Sequence, residues 1–217
     1  MKRLVVILLF LTAFHFAQAQ RDKEFQIRAG FGFALYSTRS EWGSGNLTQK
    51  DNGGAVTLHL PVDLRYELTR RLNMGLDLKI GSYLYDPDGA DGKSNQYVVI
   101  GLAAEYNFIN RDDFRWYGGA GYNFSNLELE ESSELPGDDS NEEWTYRGGG
   151  FRFNTGVLLY IISDFGLNFN LGLDTHQYKL KKYKQDGNSI DLNSFEATLN
   201  TIGMDGTIGL VYRFGRD

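Results

Sequence analysis

The chain has 217 residues, no cysteine, 3 prolines and a formal net charge of −6. Those counts exclude disulfide scaffolds, thiolate zinc sites and thiol catalysis, and argue against a surface that tracks nucleic-acid phosphates. Three histidines (His15, His59, His176) leave little for a histidine-ligated metal, while 26 glycines and 14% aromatic residues describe a folded chain, not a disordered one.

In chain order, the first element reads as an export signal. Lys2 and Arg3 precede an apolar run over 4–16, and Ala17-Gln18-Ala19 supplies the small residues of a cleavage site. The run is shorter than the roughly 20 residues a membrane helix needs. Residues 1–19 are therefore expected to be removed, leaving a mature chain over 20–217 that carries a net charge of −8 once Lys2 and Arg3 are gone. No later stretch is apolar and long enough for a transmembrane helix. The one spanning structure left is the closed barrel, because backbone polar groups in lipid must be paired internally.

Period-two alternation then fills the chain. Strands are predicted near 24–37, 55–69, 72–86, 96–109, 114–127, 148–162, 165–178 and 196–214. The clearest is the second, where Val56, Leu58, Leu60, Val62, Leu64, Tyr66 and Leu68 share one face and Thr57, His59, Pro61, Asp63, Arg65 and Glu67 share the other. Across all segments the apolar face is broken only at Ser82, Gly118, Thr155, Thr175 and Gly206, never by a charge. Phe195, Ala197 and Leu199 carry their apolar side chains on the opposite parity to the strand that follows. A bulge is therefore predicted near Asn200-Thr201. Three connections are tight (69–71, 109–113, 163–164) and four are long and polar (38–54, 87–95, 128–147, 179–195). This is the pattern of an all-β, eight-stranded antiparallel up-and-down transmembrane barrel with short periplasmic turns and long extracellular loops.

Volume assigns the faces. An eight-stranded barrel has room inside only for side chains that fill it, and the large apolar set would overfill it. The polar set, rich in glycine (Gly30, Gly32, Gly75, Gly81, Gly101 and others), fits. The apolar set is expected to face lipid, with Tyr66, Tyr106, Phe108, Phe114, Trp116, Tyr212 and Phe214 as a girdle at the short-turn end and Phe33, Tyr122, Phe124 and Phe151 as a second one.

The inward set carries six bases (Arg28, Arg65, Lys79, Arg115, Arg152, Arg213) and six acids (Asp63, Glu67, Asp77, Glu105, Asp174, Asp205). Counting from the turns places Arg28, Asp63, Arg65, Asp77, Lys79 and Glu105 in a middle layer and Arg152, Asp174, Asp205, His59 and His176 in an upper one. Buried charges persist when paired, so a balanced set in a narrow barrel predicts a salt-bridged, largely plugged lumen. A narrow passive path for small, even hydrophobic, solutes is the second reading. Acid–base chemistry on lipid A or phospholipid by His59 or His176, each with an acid on its own strand (Asp63, Asp174), is the third. A secreted lipocalin-like carrier is the fourth and fails the volume test.

Other candidates are weaker. Asp86-Pro-Asp88-Gly-Ala-Asp91-Gly lacks the ligands of a calcium loop and reads as a turn. The acids between Glu128 and Glu143 read as a solvated loop that could meet cations bridging to lipopolysaccharide, and Lys179, Lys181, Lys182 and Lys184 as a basic loop that could pair with it or touch lipopolysaccharide phosphates. Gly148-Gly149-Gly150 opens a strand and has no following helix to make a nucleotide loop. No catalytic residue, metal site or cofactor is assigned.

With the Ala17-Gln18-Ala19-Gln20 signal, the glycine- and aromatic-rich strands and the closing Gly209-Leu210-Val211-Tyr212-Arg213-Phe214, the whole mature chain resembles the small eight-stranded Gram-negative outer-membrane barrels of the OmpX, OmpW and PorT-like kind, the outer membrane protein beta-barrel domain. The resemblance implies a non-enzymatic porin-like protein of the outer membrane, in contact with its lipids and lipopolysaccharide. It also implies a final strand whose Tyr212 and Phe214 are read by the barrel-insertion machinery. Gly215-Arg216-Asp217 overhangs that aromatic. OmpW-like members are linked to small hydrophobic solutes, OmpX-like ones to surface interaction and PorT-like ones to secretion, and the residues do not choose among them.

Overall fold

A computed structural model describes residues 23–44, 47–85, 95–132, 141–192 and 195–215. The proposed signal over 1–19 lies outside the described residues, as does the Asp86–Gly92 turn. Among the described residues there is no helix, and nine strands are formed: β1 (Phe25–Ser44), β2 (Leu47–Thr69), β3 (Leu72–Tyr85), β4 (Asn95–Asn110), β5 (Phe114–Ser132), β6 (Asn141–Tyr160), β7 (Phe165–Gln185), β8 (Asn188–Ile190) and β9 (Phe195–Phe214). Eight of them close a ring in the order β1-β2-β3-β4-β5-β6-β7-β9, with β9 returning to β1 and every neighbour antiparallel. β8 is a short flap on Tyr183–Gln185 of β7. Its turn, Asp186-Gly187, has φ of 51° and 79°, the pair of positive values that a two-residue hairpin turn needs and that Asp-Gly supplies cheaply.

The outward face is apolar, as the volume reasoning requires. Phe31, Leu58, Leu102, Phe124, Phe153, Leu171 and Ile208 are all exposed, whereas Arg28, Arg65, Lys79, Glu105, Asp174 and Asp205 are buried inside the ring. On β1 the band runs from Phe25 to Leu35, about 33 Å along the strand at ~3.3 Å per residue. Tilted by ~40° this gives about 25 Å of height, the thickness of an outer-membrane apolar band. The breaks in the oily face are masked locally. A Cβ at Gly118 would lie 2.8 Å from the Phe108 ring, and one at Gly206 3.2 Å from the Phe33 ring, so neighbouring aromatics cover both gaps. Thr155 accepts from Trp116 Nε1 (3.0 Å) and donates to the Tyr117 carbonyl. Thr175 accepts from the Phe151 amide (3.2 Å), where the β6–β7 ladder opens.

Inside, glycine permits tight curvature. A Cβ at Gly75 would sit 1.7 Å from the Leu64 carbonyl, and one at Gly30 would sit 2.6 Å from the Cα of its β9 partner Gly209. Pro61 interrupts the β1–β2 ladder, which pairs Ala29 with Val62 and resumes at Gly32 with His59, because proline has no amide hydrogen to give.

Two expectations need correction. Much of the three long loops over 38–54, 128–147 and 179–195 is strand: β1 and β2 pair as far as Ser44 with Leu47, β5 and β6 as far as Ser132 with Asn141, and β7 extends to Gln185. There is no bulge at Asn200-Thr201 either, since β9 pairs β1 without interruption from Phe195 to Phe214. Irregularities fall instead at Glu67/Thr69, Asn107/Ile109 and Thr145/Tyr146. Both misreadings have one cause. Above the level of Leu35, Val56, Phe124 and Ile202 the two faces exchange polarity. Outward positions become polar (Ser37, Arg39, Gln177, Lys179, Asn200) and inward ones apolar, with Tyr36, Tyr83, Tyr97, Leu127, Leu129, Tyr178 and Leu199 packed into a buried cluster and Trp144 and Tyr146 against it. Ala197 and Leu199 keep their inward direction; it is the solvent outside that changes.

Candidate functional site

The lumen is built from the inward parity of all eight ring strands, and its charged side chains fall into three groups. At the short-turn end, Arg115 donates both terminal nitrogens to Glu24 (2.6 Å each), Gln26 donates to Glu24 (2.6 Å), and Arg213 stands over the Tyr160 ring (3.9 Å) while donating to the Ser163 carbonyl. In the middle, Arg28 forks onto Glu105 (3.1 and 2.9 Å) and covers the Tyr117 ring (4.6 Å). Arg65 bridges Glu105 (2.8 Å) and Asp77 (2.5 Å). Toward the extracellular end, Lys79 lies between Asp174 (2.9 Å) and Asp205 (3.0 Å), Arg152 donates to Asp205 (2.8 Å), and His59 Nε2 is 3.0 Å from Asp205. Apart from Asp63, each of these buried charges thus meets an opposite one, which is the condition on which low-dielectric burial is tolerated. The aromatic cluster closes the lumen above, Tyr36 Oη reaching Asp174 at 3.5 Å.

Against the sequence reading, Lys79 belongs with the upper group, not the middle one. Asp63 makes no ion pair within 4 Å among the described residues; its β3 partner is Asp77. His59 is engaged by Asp205 and not by Asp63 on its own strand. Its room is provided by Gly32, where a Cβ would come within 2.2 Å of His59 Nε2. His176 packs on Tyr178 (ring centroids 5.6 Å) and edges Tyr36 (6.4 Å), outside the ion pairs. No group of three or more His, Asp or Glu among the described residues is placed to hold a metal. Tyr212 and Phe214 sit outward at the end of β9, ring to ring at 4.5 Å, with Phe25 beside Phe214.

Sequence reasoning missed Glu24, the anchor of the lowest group, although it opens the predicted 24–37 segment on the inward parity of Gln26 and Arg28. It also missed the inward tyrosines. Their signal was present: parity carries Tyr36, Tyr178 and Leu180 inward beyond the last oily position of each strand. On the outer wall, Lys184 pairs with Glu143, and Arg39 and Lys50 both pair with Glu41 (3.1 and 3.2 Å). The Lys50 hydrogen bond, and the nearby charges, hold that exposed carboxyl below its ordinary range.

The molecule is similar in shape to OprG of Pseudomonas aeruginosa, with a TM-score of 0.62 at 14% identity over 89% of this chain and 96% of that one. Ail, the attachment invasion locus protein of Yersinia pestis (TM-score 0.43, 12% identity, 89% and 99% covered), and the outer membrane protease OmpT of Escherichia coli (0.40, 12%, 89% and 97%) are more distant. No curated protein sequence matches the chain. The family model described as outer membrane protein beta-barrel domain matches residues 6–214. A closed antiparallel ring with its oily side outward and its charges turned in is the architecture that such a match demands, and the chain accordingly belongs to the outer membrane protein beta-barrel domain family, a β-barrel of the outer membrane.

Proposed function

We propose that the barrel is a non-enzymatic outer-membrane component whose lumen is closed to solutes and which acts through its extracellular surface. The observation that carries this reading is the stacking of three ion-paired layers beneath an aromatic cap. An ion or solute entering from outside would have to displace Tyr36, Tyr83 and Tyr97, then part Lys79 and Arg152 from Asp174 and Asp205. Separating such pairs leaves buried charge uncompensated, at about 3–5 kcal/mol per pair. Against catalysis on lipid stands the placement of His59: its Nε2 is held by Asp205 in the interior, while acyl chains lie outside the wall.

Planar bilayers containing the refolded protein test it. The expected result is no sustained conductance of porin size; a stable ohmic pore overturns the closed lumen in favour of a narrow transporter. A change in the acyl composition of lipid A on expression, abolished by His59→Ala or His176→Ala, overturns the non-enzymatic reading.

A further inference from the structure

We propose that Arg147, Lys179 and Lys181 form a binding cleft for the phosphate groups of an outer-leaflet glycolipid, a phosphorylated saccharolipid of the lipid A type. The inference rests on the membrane-spanning architecture and is independent of whether the lumen conducts. Outside the wall, where β6, β7 and β9 run side by side, lies an open cleft of about 320 Å³ lined by these three bases with Gln177, Thr198 and Asn200. Its height is fixed by register. Arg147 is the direct partner of Lys179, which is the partner of Thr198. Gly149, Gln177 and Asn200 form the next outward row down, and Phe151, Thr175 and Ile202, at the upper edge of the oily band, follow. A lipid whose chains lie on that band brings its headgroup to the cleft.

Two features say that the cleft wants an anion. Like charges directly opposite one another on adjacent strands repel, yet Arg147 and Lys179 are such a pair, and no carboxylate lines the cleft. Across Thr198 on β1 stands Glu41, already taken up by Arg39 and Lys50, and farther out Lys184 is matched with Glu143. Among the described residues Arg147, Lys179 and Lys181 have no ion pair. Arg147 is instead oriented by a bond from its Nε to Asn126 Oδ1 (3.2 Å), with Glu128 behind that asparagine; Glu196 stands on β9 beyond Thr198. The second feature is the β6–β7 irregularity. Thr145 pairs with Lys182 and Tyr146 with Leu180, so Lys181 is the extra residue of a bulge, the device by which a strand re-aims one side chain. Lys181 shares the outward parity of Lys179, and the bulge leaves it without a partner on β6, so three cations line the cleft.

The test measures binding of bisphosphorylated lipid A, and of the same lipid stripped of both phosphates, to the refolded full chain in detergent by native mass spectrometry. Inorganic phosphate serves as competitor. Wild type is expected to prefer the phosphorylated lipid, and the triple variant Arg147→Gln/Lys179→Gln/Lys181→Gln to lose roughly a hundredfold in affinity for it, from about fivefold per surface cation. Its affinity for the stripped lipid should not change. All three side chains lie outside the membrane band, so the variant is expected to show the same heat-dependent gel shift as wild type. Should it not, Lys179→Gln alone must show the fivefold loss. Equal binding of the two lipids by wild type, or an unchanged variant, overturns the proposal. Displacement of the lipid by inorganic phosphate at comparable concentration overturns the lipid as the occupant.

Discussion

Glu105 shows how much one inward side chain carries. It accepts two bonds from Arg28 and one from Arg65, and all three groups are shut away from water. Removing it leaves two guanidinium groups without their carboxylate in a low-dielectric interior, which costs far more than the net worth of the intact pair. Glu105→Ala is therefore expected to destabilise the folded barrel by about 3–5 kcal/mol, read as a shift in the denaturant midpoint of unfolding from vesicles. Glu41→Gln, which breaks an exposed ion pair on the outer wall, is expected to leave the midpoint where it is. A Glu105→Ala midpoint equal to wild type shows that water reaches the middle layer. Residue identity was legible at this scale where pairing was not: which bases face inward followed from parity. Which acid meets which base depends on the stagger of strands around the ring, so Lys79 found Asp174 and Asp205 across the lumen.

The strands carry two messages in series. Within the band, alternation is oily outside and ionic inside; beyond it, each strand continues with the signs reversed. A reader looking for one rule sees the strand stop at the reversal, which is why the segments over 38–44, 128–132 and 179–185 were read as loop. The extracellular extension is held by a small core of its own, in which Leu199 is 3% exposed beside Tyr178 and Leu129. Leu199→Asp places a carboxylate there without a partner. The expected outcome is protease cleavage within the 38–54 and 179–195 segments while the membrane-embedded strands stay protected and the gel shift persists. Loss of the whole barrel on this substitution refutes an independently packed extension. Asp186-Gly187 was a two-residue turn signal that could have revealed β8 in advance.

For the molecule as a whole, the exposed apolar belt decides the solvent. Phe31 is 77% exposed, Ile208 63% and Leu102 62%, and a soluble protein rarely presents a continuous belt of that kind. The mature chain is expected to be monodisperse in detergent and to aggregate when detergent is withdrawn, as followed by size-exclusion chromatography with light scattering. A monodisperse monomer in plain buffer is incompatible with this surface. Ring closure, strand number and the sidedness of the wall were all readable from period and volume. The lid of tyrosines was not, because it is assembled from single residues on four different strands, β1, β3, β4 and β7, whose meeting is settled by register.

The exchange of polarity above Leu35, Val56, Phe124 and Ile202 also acts as a depth stop. Below it Tyr106, Phe108, Trp116 and Tyr212 mark the opposite interface, so the barrel has no freedom to slide along the membrane normal. In a bilayer of other thickness the lipid must stretch or thin around it, at fractions of a kcal/mol per Å. The rigid wall thereby imprints its own height on the surrounding leaflet and favours neighbours of matching length.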